Sequence, residues 1–248
     1  MLTACGGSGD GPPDFLLNAP PEAEPQLLSR VKEVIDARLE AAGIEGSASV
    51  KGLTITVSVD SPELVPGGLL TEPARLDFRE PVLGPDRQVT CLTEAGGALY
   101  VHPMAITHTV ENDGPHAVCV GPEGRYGEVL WQTAEGRDPA GALRGLTGED
   151  IRREDVEFRN AQGPGPVVEL PFNGEGTAIF ADITERLVGY PLAIFLDAQL
   201  LSAPTVQAVI SEGNVIITGL TEDEARLLAA QLRGGELPGE LTLVAGIE

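Results

Sequence analysis

Three histidines, His102, His108 and His116, fall in one stretch with Cys119 close behind, and these residue types ligate transition metals. Their spacing of six and then eight fits neither one face of a helix nor the short separations of zinc ligands. They read as surface-loop histidines. Ser202, Asp197 and one of those histidines could in principle supply the nucleophile, orienting acid and base of an acyl-transfer triad. Ser202 lies in Leu201-Ser202-Ala203-Pro204, however, without a G-x-S-x-G elbow, and every histidine is distant in sequence. Gly174-Glu175-Gly176 ahead of a helix is a fragment of a phosphate loop; it lacks a lysine, and its carboxylate would repel phosphate. The expectation is a protein that is not an enzyme, with no catalytic, cofactor-binding or metal-ligating residue and no small-molecule substrate.

The cysteines carry the other candidate chemistry. Leu2-Thr3-Ala4-Cys5-Gly6 has the small-residue pattern of a bacterial lipoprotein cleavage site, where Cys5 becomes lipidated. A spacer rich in Gly, Pro and Glu follows, so residues 1–24 read as signal remnant and flexible tether. An export signal also needs a charged start and an apolar stretch of ~7–15 residues. Met1 stands four positions before Cys5, so the start is placed late, the signal has been removed, or the match is chance. Lipidation would hold the domain at the outer face of the cytoplasmic membrane, in the periplasm or at the cell surface. Cys91 and Cys119 then lie in an oxidising compartment, where a disulfide is the preferred reading over two buried thiols.

At 248 residues and 42% hydrophobic content the chain can bury a substantial core. Its formal charge of −22, with Lys32 and Lys51 as its lysines, excludes nucleic acid as a partner and disfavours anionic lipid surfaces. An acidic, aggregation-resistant surface is the plain reading; attraction for basic polypeptide segments is the sharper one.

Around those residues the elements are regular. Leu28, Val31, Ile35, Leu39 and Ala42 form a helical stripe between Pro25 and Gly43, and Leu53 to Val59 alternates as a strand. The last third reads strand, helix, strand, strand pair, helix, strand. Val167 to Phe172 is apolar and meets Asn173, a helix N-cap residue; Pro191 to Leu196 is apolar on both faces; Thr221 to Glu224 is a capping box. Residues 83–145 are least legible, with short strands at Gln88–Thr93, Ala98–Val101 and Gly127–Gln132.

This order of words resembles the first periplasmic domain of SecD, the accessory subunit of the bacterial protein-export translocase. The resemblance rests on Val167 to Gly176, Leu192 to Asp197, Leu201 to Pro204, Ile217 to Gly219 and Leu220 to Pro238. Upstream it is supported by the helix from Gln26 to Gly43, by Ala74 to Arg79 and by Leu146 to Ile151. The family-motif positions carried over are Asn173, Gly176, Asp197, Ser202, Pro204, Gly219, Arg233, Gly234 and Pro238. Ala198 departs from the glycine that follows the aspartate in the family, and no apolar run approaches the ~18 residues needed to cross a bilayer.

The resemblance implies an α+β fold. Its base is a discontinuous ferredoxin-like sandwich from residues 25–82 and 216–248, and 83–215 is an inserted head. It implies hinges near Pro81-Val82 and Ser211-Gly213. The family's opening strand is expected to be missing from this sequence, which would leave one sheet edge exposed or borrowed from a partner. The resemblance further implies binding to exported unfolded polypeptide or translocase subunits, without the proton pathway of the membrane helices. The alternative is an envelope lipoprotein that keeps the fold as a structural or regulatory module outside export.

Overall fold

The computed structural model describes residues 13–111, 114–161 and 165–245. Cys5 lies outside the described residues. In chain order the elements are β1 (Phe15–Asn18), α1 (Pro25–Ala41), β2 (Gly46–Lys51), β3 (Thr54–Val59), β4 (Leu76–Pro81), β5 (Val89–Leu92) and β6 (Ala98–Val101). There follow β7 (Ile106–Glu111), β8 (Gly114–Gly121), β9 (Gly124–Val129), β10 (Trp131–Thr133), β11 (Glu135–Arg137) and β12 (Leu143–Gly145). The chain ends through β13 (Glu157–Ala161), β14 (Gly165–Pro171), α2 (Gly174–Arg186), β15 (Ala193–Leu196), β16 (Gln199–Ser202), β17 (Asn214–Ile217), α3 (Glu222–Gly234) and β18 (Thr242–Ala245). It is an α+β protein with several antiparallel sheets, and it divides into two compact units, 1–72 with 237–248 and 73–236.

The smaller unit is one antiparallel sheet in the order β18-β1-β3-β2, the strand order of a ferredoxin-like sandwich. The apolar stripe of α1 is buried at Leu28, Val31, Ile35 and Leu39. Pro25 begins the helix, where its missing N–H is no loss, and Gly43 leaves it at a φ of 71° that a side chain would resist. On the same helix Arg38 is fully buried. Its Nη1 donates to the Leu69 carbonyl at 2.9 Å and the Glu72 carbonyl at 2.7 Å, so the charge gains hydrogen-bond partners as it loses water.

Two expectations fail in this unit. The opening strand is present: β1 pairs with β18 on one side and β3 on the other, and Leu17 is wholly buried. Residues 15–18 are therefore part of the core and not of a tether running to 24. Phe15, Leu16 and Leu17 supply the apolar surface that earns this central place. The expectation that residues 216–248 belong to one base with 25–82 also fails, because α3 packs on β13 and β14 of the larger unit.

The larger unit contains a sheet β10-β4-β15-β16, a sheet β13-β14-β17, the hairpin β11-β12, and a five-stranded sheet β6-β5-β9-β8-β7. Its division from the smaller unit falls at 72/73 and 236/237, where 82/83 and 215/216 were expected. The reason is pairing: β4 bonds to β15 and β10, and β17 bonds to β14, so both strands belong to the larger unit's sheets. The expected hinge positions are likewise not free joints. Pro81 is paired with Trp131, the Val82 amide donates to Leu130 at 2.8 Å, and the Gly213 carbonyl accepts from Phe172 at 2.8 Å.

Two cores fill this unit. In one, α2 and α3 cover a cluster centred on Phe78, Phe172 and Phe180, whose ring centroids lie 5.1–6.1 Å apart. α2 approaches β11 so closely that a Cβ on Gly136 would strike the Ile179 carbonyl. In the other, Val89, Val101, Ala117 and Val129 of the five-stranded sheet pack on Ala193, Phe195 and Leu200 of the neighbouring sheet. Cys91 on β5 and Cys119 on β8 are joined in a disulfide although β9 runs between those strands. Their Cα atoms are 6.3 Å apart, so the sheet curls tightly across β9. Gly127 lies opposite Cys119, and a Cβ there would run into the Leu92 carbonyl. Glycine is what admits the curl.

Candidate functional site

The family-motif residues resolve into framework positions. Asn173 caps α2: its Oδ1 accepts from the Gly176 amide at 2.8 Å, while its Nδ2 donates to the Glu149 carbonyl at 3.1 Å. Gly176 is buried against Asp150, and a Cβ there would sit 2.8 Å from the Asp150 Cβ. Asp197 and Ala198 turn β15 into β16, both at positive φ (49° and 67°). The Asp197 carboxylate is taken up by the backbone amides of Ala74 (2.9 Å) and Arg75 (2.8 Å). It is thus a turn-and-anchor residue.

Ser202 lies on β16 opposite Ile194, and the Pro204 carbonyl accepts from the Leu192 amide at 3.0 Å. Gly219 turns at a φ of 87° ahead of the capping box of α3, where Thr221 and Glu224 exchange hydrogen bonds. The Thr221 amide and hydroxyl hold the Glu224 carboxyl below its usual pKa. At the other end of that helix the Arg233 Nε donates to the Val156 carbonyl at 2.6 Å, and Gly234 is buried. Pro238 is half-buried shortly beyond.

The histidines are dispersed, and two of them are not in loops. His108 on β7 pairs with Ala117 of β8, and His116 on β8 pairs with Thr109 of β7. The Nδ1 of His116 lies 3.2 Å from a Glu128 carboxylate oxygen. His102 caps a 3-10 turn by accepting from the Met104 amide at 3.2 Å. The regular pairing of β7 with β8 draws the two strand histidines into the sheet. Cys119 is consumed by its disulfide, and the described residues contain no group of three or more His, Cys, Asp or Glu placed to hold a metal.

Sequence reasoning missed the strongest electrostatic feature, Arg144 with Asp150. The Arg144 guanidinium grips the buried Asp150 carboxylate through Nη1 (2.8 Å) and Nη2 (2.7 Å), and Nη2 also reaches Glu175 at 3.1 Å. The Thr147 amide donates to Asp150 at 2.9 Å, completing a capping box around the 3-10 turn Gly148–Asp150. Burial pushes the Asp150 pKa up, but the bonds from Arg144 and Thr147 outweigh it and leave the carboxyl below its ordinary value. The Leu146 to Ile151 word was legible; its partner across the turn was not. Two open clefts with charged residues in their lining flank this region. One, of about 640 Å³, is lined by Asp77, Arg144, Asp150 and Glu175 among others; the other, of about 490 Å³, by Glu80, Arg137, Asp182 and Arg186.

One surface is unlike these. β17 is an edge strand with β14 as its sheet neighbour, and Ile216 points outward, 52% exposed. The segment leading into it exposes Val209 and Ile210. No helix among the described residues is long and apolar enough to cross a membrane.

The motif residues cap helices and close turns, so they are framework positions of an α+β domain. Residues 135–239 match the family model "SecDF, P1 head subdomain". The protein translocase subunit SecD of Dictyoglomus turgidum is 42% identical over 114 residues, 45% of this chain and 28% of that protein. SecD of Acidaminococcus fermentans is 45% identical over 100 residues, 40% of this chain and 24% of that protein. These matches span about a quarter of the length of those relatives. The fold also aligns with two solved structures at 23% identity. "Crystal structure of SecDF in Super-membrane-facing form" aligns with 93% of this chain at a TM-score of 0.60. "Structure and function of a membrane component SecDF that enhances protein export" aligns with 94% of this chain and 99% of that one at 0.58. Residues 135–239 thus match the SecDF head subdomain, and the chain as a whole has the fold of the SecDF structures it aligns with.

Proposed function

We propose that this chain acts outside the cytoplasmic membrane as a SecD-type module of protein export, binding exported unfolded polypeptide, translocase subunits, or both, and performing no bond chemistry. The observation that carries the reading is the head-subdomain match over 135–239. Around that segment the surface offers a bare strand edge and exposed apolar side chains, which suit extended chains of varied sequence. The relatives are named as translocase subunits, and one aligned structure is described as a component that enhances export. In this reading lipidated Cys5 supplies the membrane attachment, with no cofactor involved.

The five-stranded sheet β5–β9 favours a second reading. It precedes the matched segment and has its own disulfide. It suits a structural or regulatory envelope lipoprotein that binds another partner. Photo-crosslinking from surface positions of 135–239 and of β5–β9, in cells exporting a stalled precursor, separates the two. The export reading expects adducts to the precursor or to translocase subunits. Adducts to other envelope proteins alone, formed from β5–β9, would overturn it in favour of the second.

A further inference from the structure

We propose that the free edge of β17 is a strand-addition site for an extended polypeptide segment bearing lysine or arginine; this rests on the reading of the chain as a polypeptide-binding export module. In the antiparallel pair of β14 with β17, the Phe172 amide donates to the Gly213 carbonyl. That fixes the bonded rungs as Phe172–Gly213, Leu170–Val215 and Val168–Ile217, because bonded and non-bonded rungs alternate. Pro171 accordingly sits on a non-bonded rung, where it needs no N–H. Asn214 and Ile216 occupy the non-bonded rungs, so their N–H and C=O groups point away from β14. None of these four groups has a hydrogen-bond partner among the described residues. Spaced two residues apart, they form the half-ladder that another extended backbone completes.

β17 carries neither the lysine nor the proline that commonly protects an edge. Its surroundings define the occupant by charge. The rung of Ile216 runs through Glu169 to Glu157, with Glu212 two residues before the strand, against Arg159, which is paired with Glu169. A basic segment with alternating apolar residues would meet the apolar Ile216 and this acidic rim together, whereas an acidic segment would be repelled.

The test uses a peptide of about ten alternating valine and lysine residues, a copy N-methylated at alternate amides, and a valine–glutamate copy. Each is titrated into the whole chain while amide hydrogen exchange is followed. The valine–lysine peptide should bind and protect the Asn214 and Ile216 amides. Blocking the ladder by N-methylation, or placing a lysine on the edge with Ile216→Lys, should weaken binding about tenfold or more. Ile216→Pro, which removes an outward N–H, should do the same, and Ile216→Lys remains the readout if the proline variant unfolds.

Equal affinity for the N-methylated peptide, protection elsewhere, or self-pairing of two copies through β17 would overturn the proposal. A permanently unfolded protein bound equally by wild type and Ile216→Lys would remove this site while leaving the export reading intact. Failure of the wild type to bind any unfolded polypeptide would remove the export reading itself.

Discussion

The helix-covered core and the five-stranded sheet of the larger unit bury apolar faces by different means. Around Phe78, Phe172 and Phe180, the cover is α2 and α3, and each helix is started by a side-chain cap, Asn173 or Thr221 with Glu224. Among the described residues, neither α2 nor α3 is the cover of the five-stranded sheet. It curls at Gly127, packs one face on Phe195 and Leu200, and is cross-tied by Cys91 and Cys119. One layer depends on local polar chemistry at helix ends, the other on a covalent bond between strands that do not touch as neighbours. The helix-covered layer is also the part matched to the head subdomain, while the sheet lies before it.

The largest expected effect breaks the sheet. Replacing both Cys91 and Cys119 by alanine should cost roughly 3.5 kcal/mol, the loop-closure value for a separation of this size. Denaturant unfolding with and without reductant measures it, and native-state hydrogen exchange should rise in β8 and β9 but not in α2. Next, Asp150→Ala should cost roughly 2–3 kcal/mol, less than a fully buried pair because Arg144 keeps about a third of its side chain in water. Exchange should then rise in α2 and spare β5.

The same residue fixes a pH dependence. The folded pKa of Asp150 is depressed, so its contribution is present above the ordinary carboxylate range and is lost as pH falls through the folded value. The stability gap between wild type and Asp150→Asn should therefore close in acid and stay constant through neutral pH. Smaller again, Asn173→Ala should cost about 1 kcal/mol by removing the cap of α2. Ala198→Gly should stabilise by about 1 kcal/mol, because alanine there holds a φ of 67° that glycine adopts freely. Thermal unfolding resolves both, and a neutral Ala198→Gly would show that the turn is not strained.

How much of this was readable in advance follows the same division. The helices were legible because their caps and stripes are local: Asn173, Thr221 with Glu224, and Leu28 through Leu39 all stand at helical spacings. β15 was legible as an apolar run bounded by a turn. β1 was not, since Phe15 to Asn18 is short and set among Pro, Gly and Glu that read as tether. β7 and β8 were missed because Thr107, His108 and Thr109 lack apolar alternation, so their histidines looked like loop residues. The Arg144–Asp150 pair and the bare edge of β17 could not be read at all. The first depends on a turn bringing two residues together, the second on which strand has no neighbour.

The most direct test of the central claim is a titration of the purified chain with a fully reduced, alkylated and permanently unfolded protein, run beside the native form of that protein. The account predicts saturable binding of the unfolded form, weakened by salt because the chain is acidic, and no binding of the native form. Absence of saturable binding, or equal binding of both forms, would contradict it.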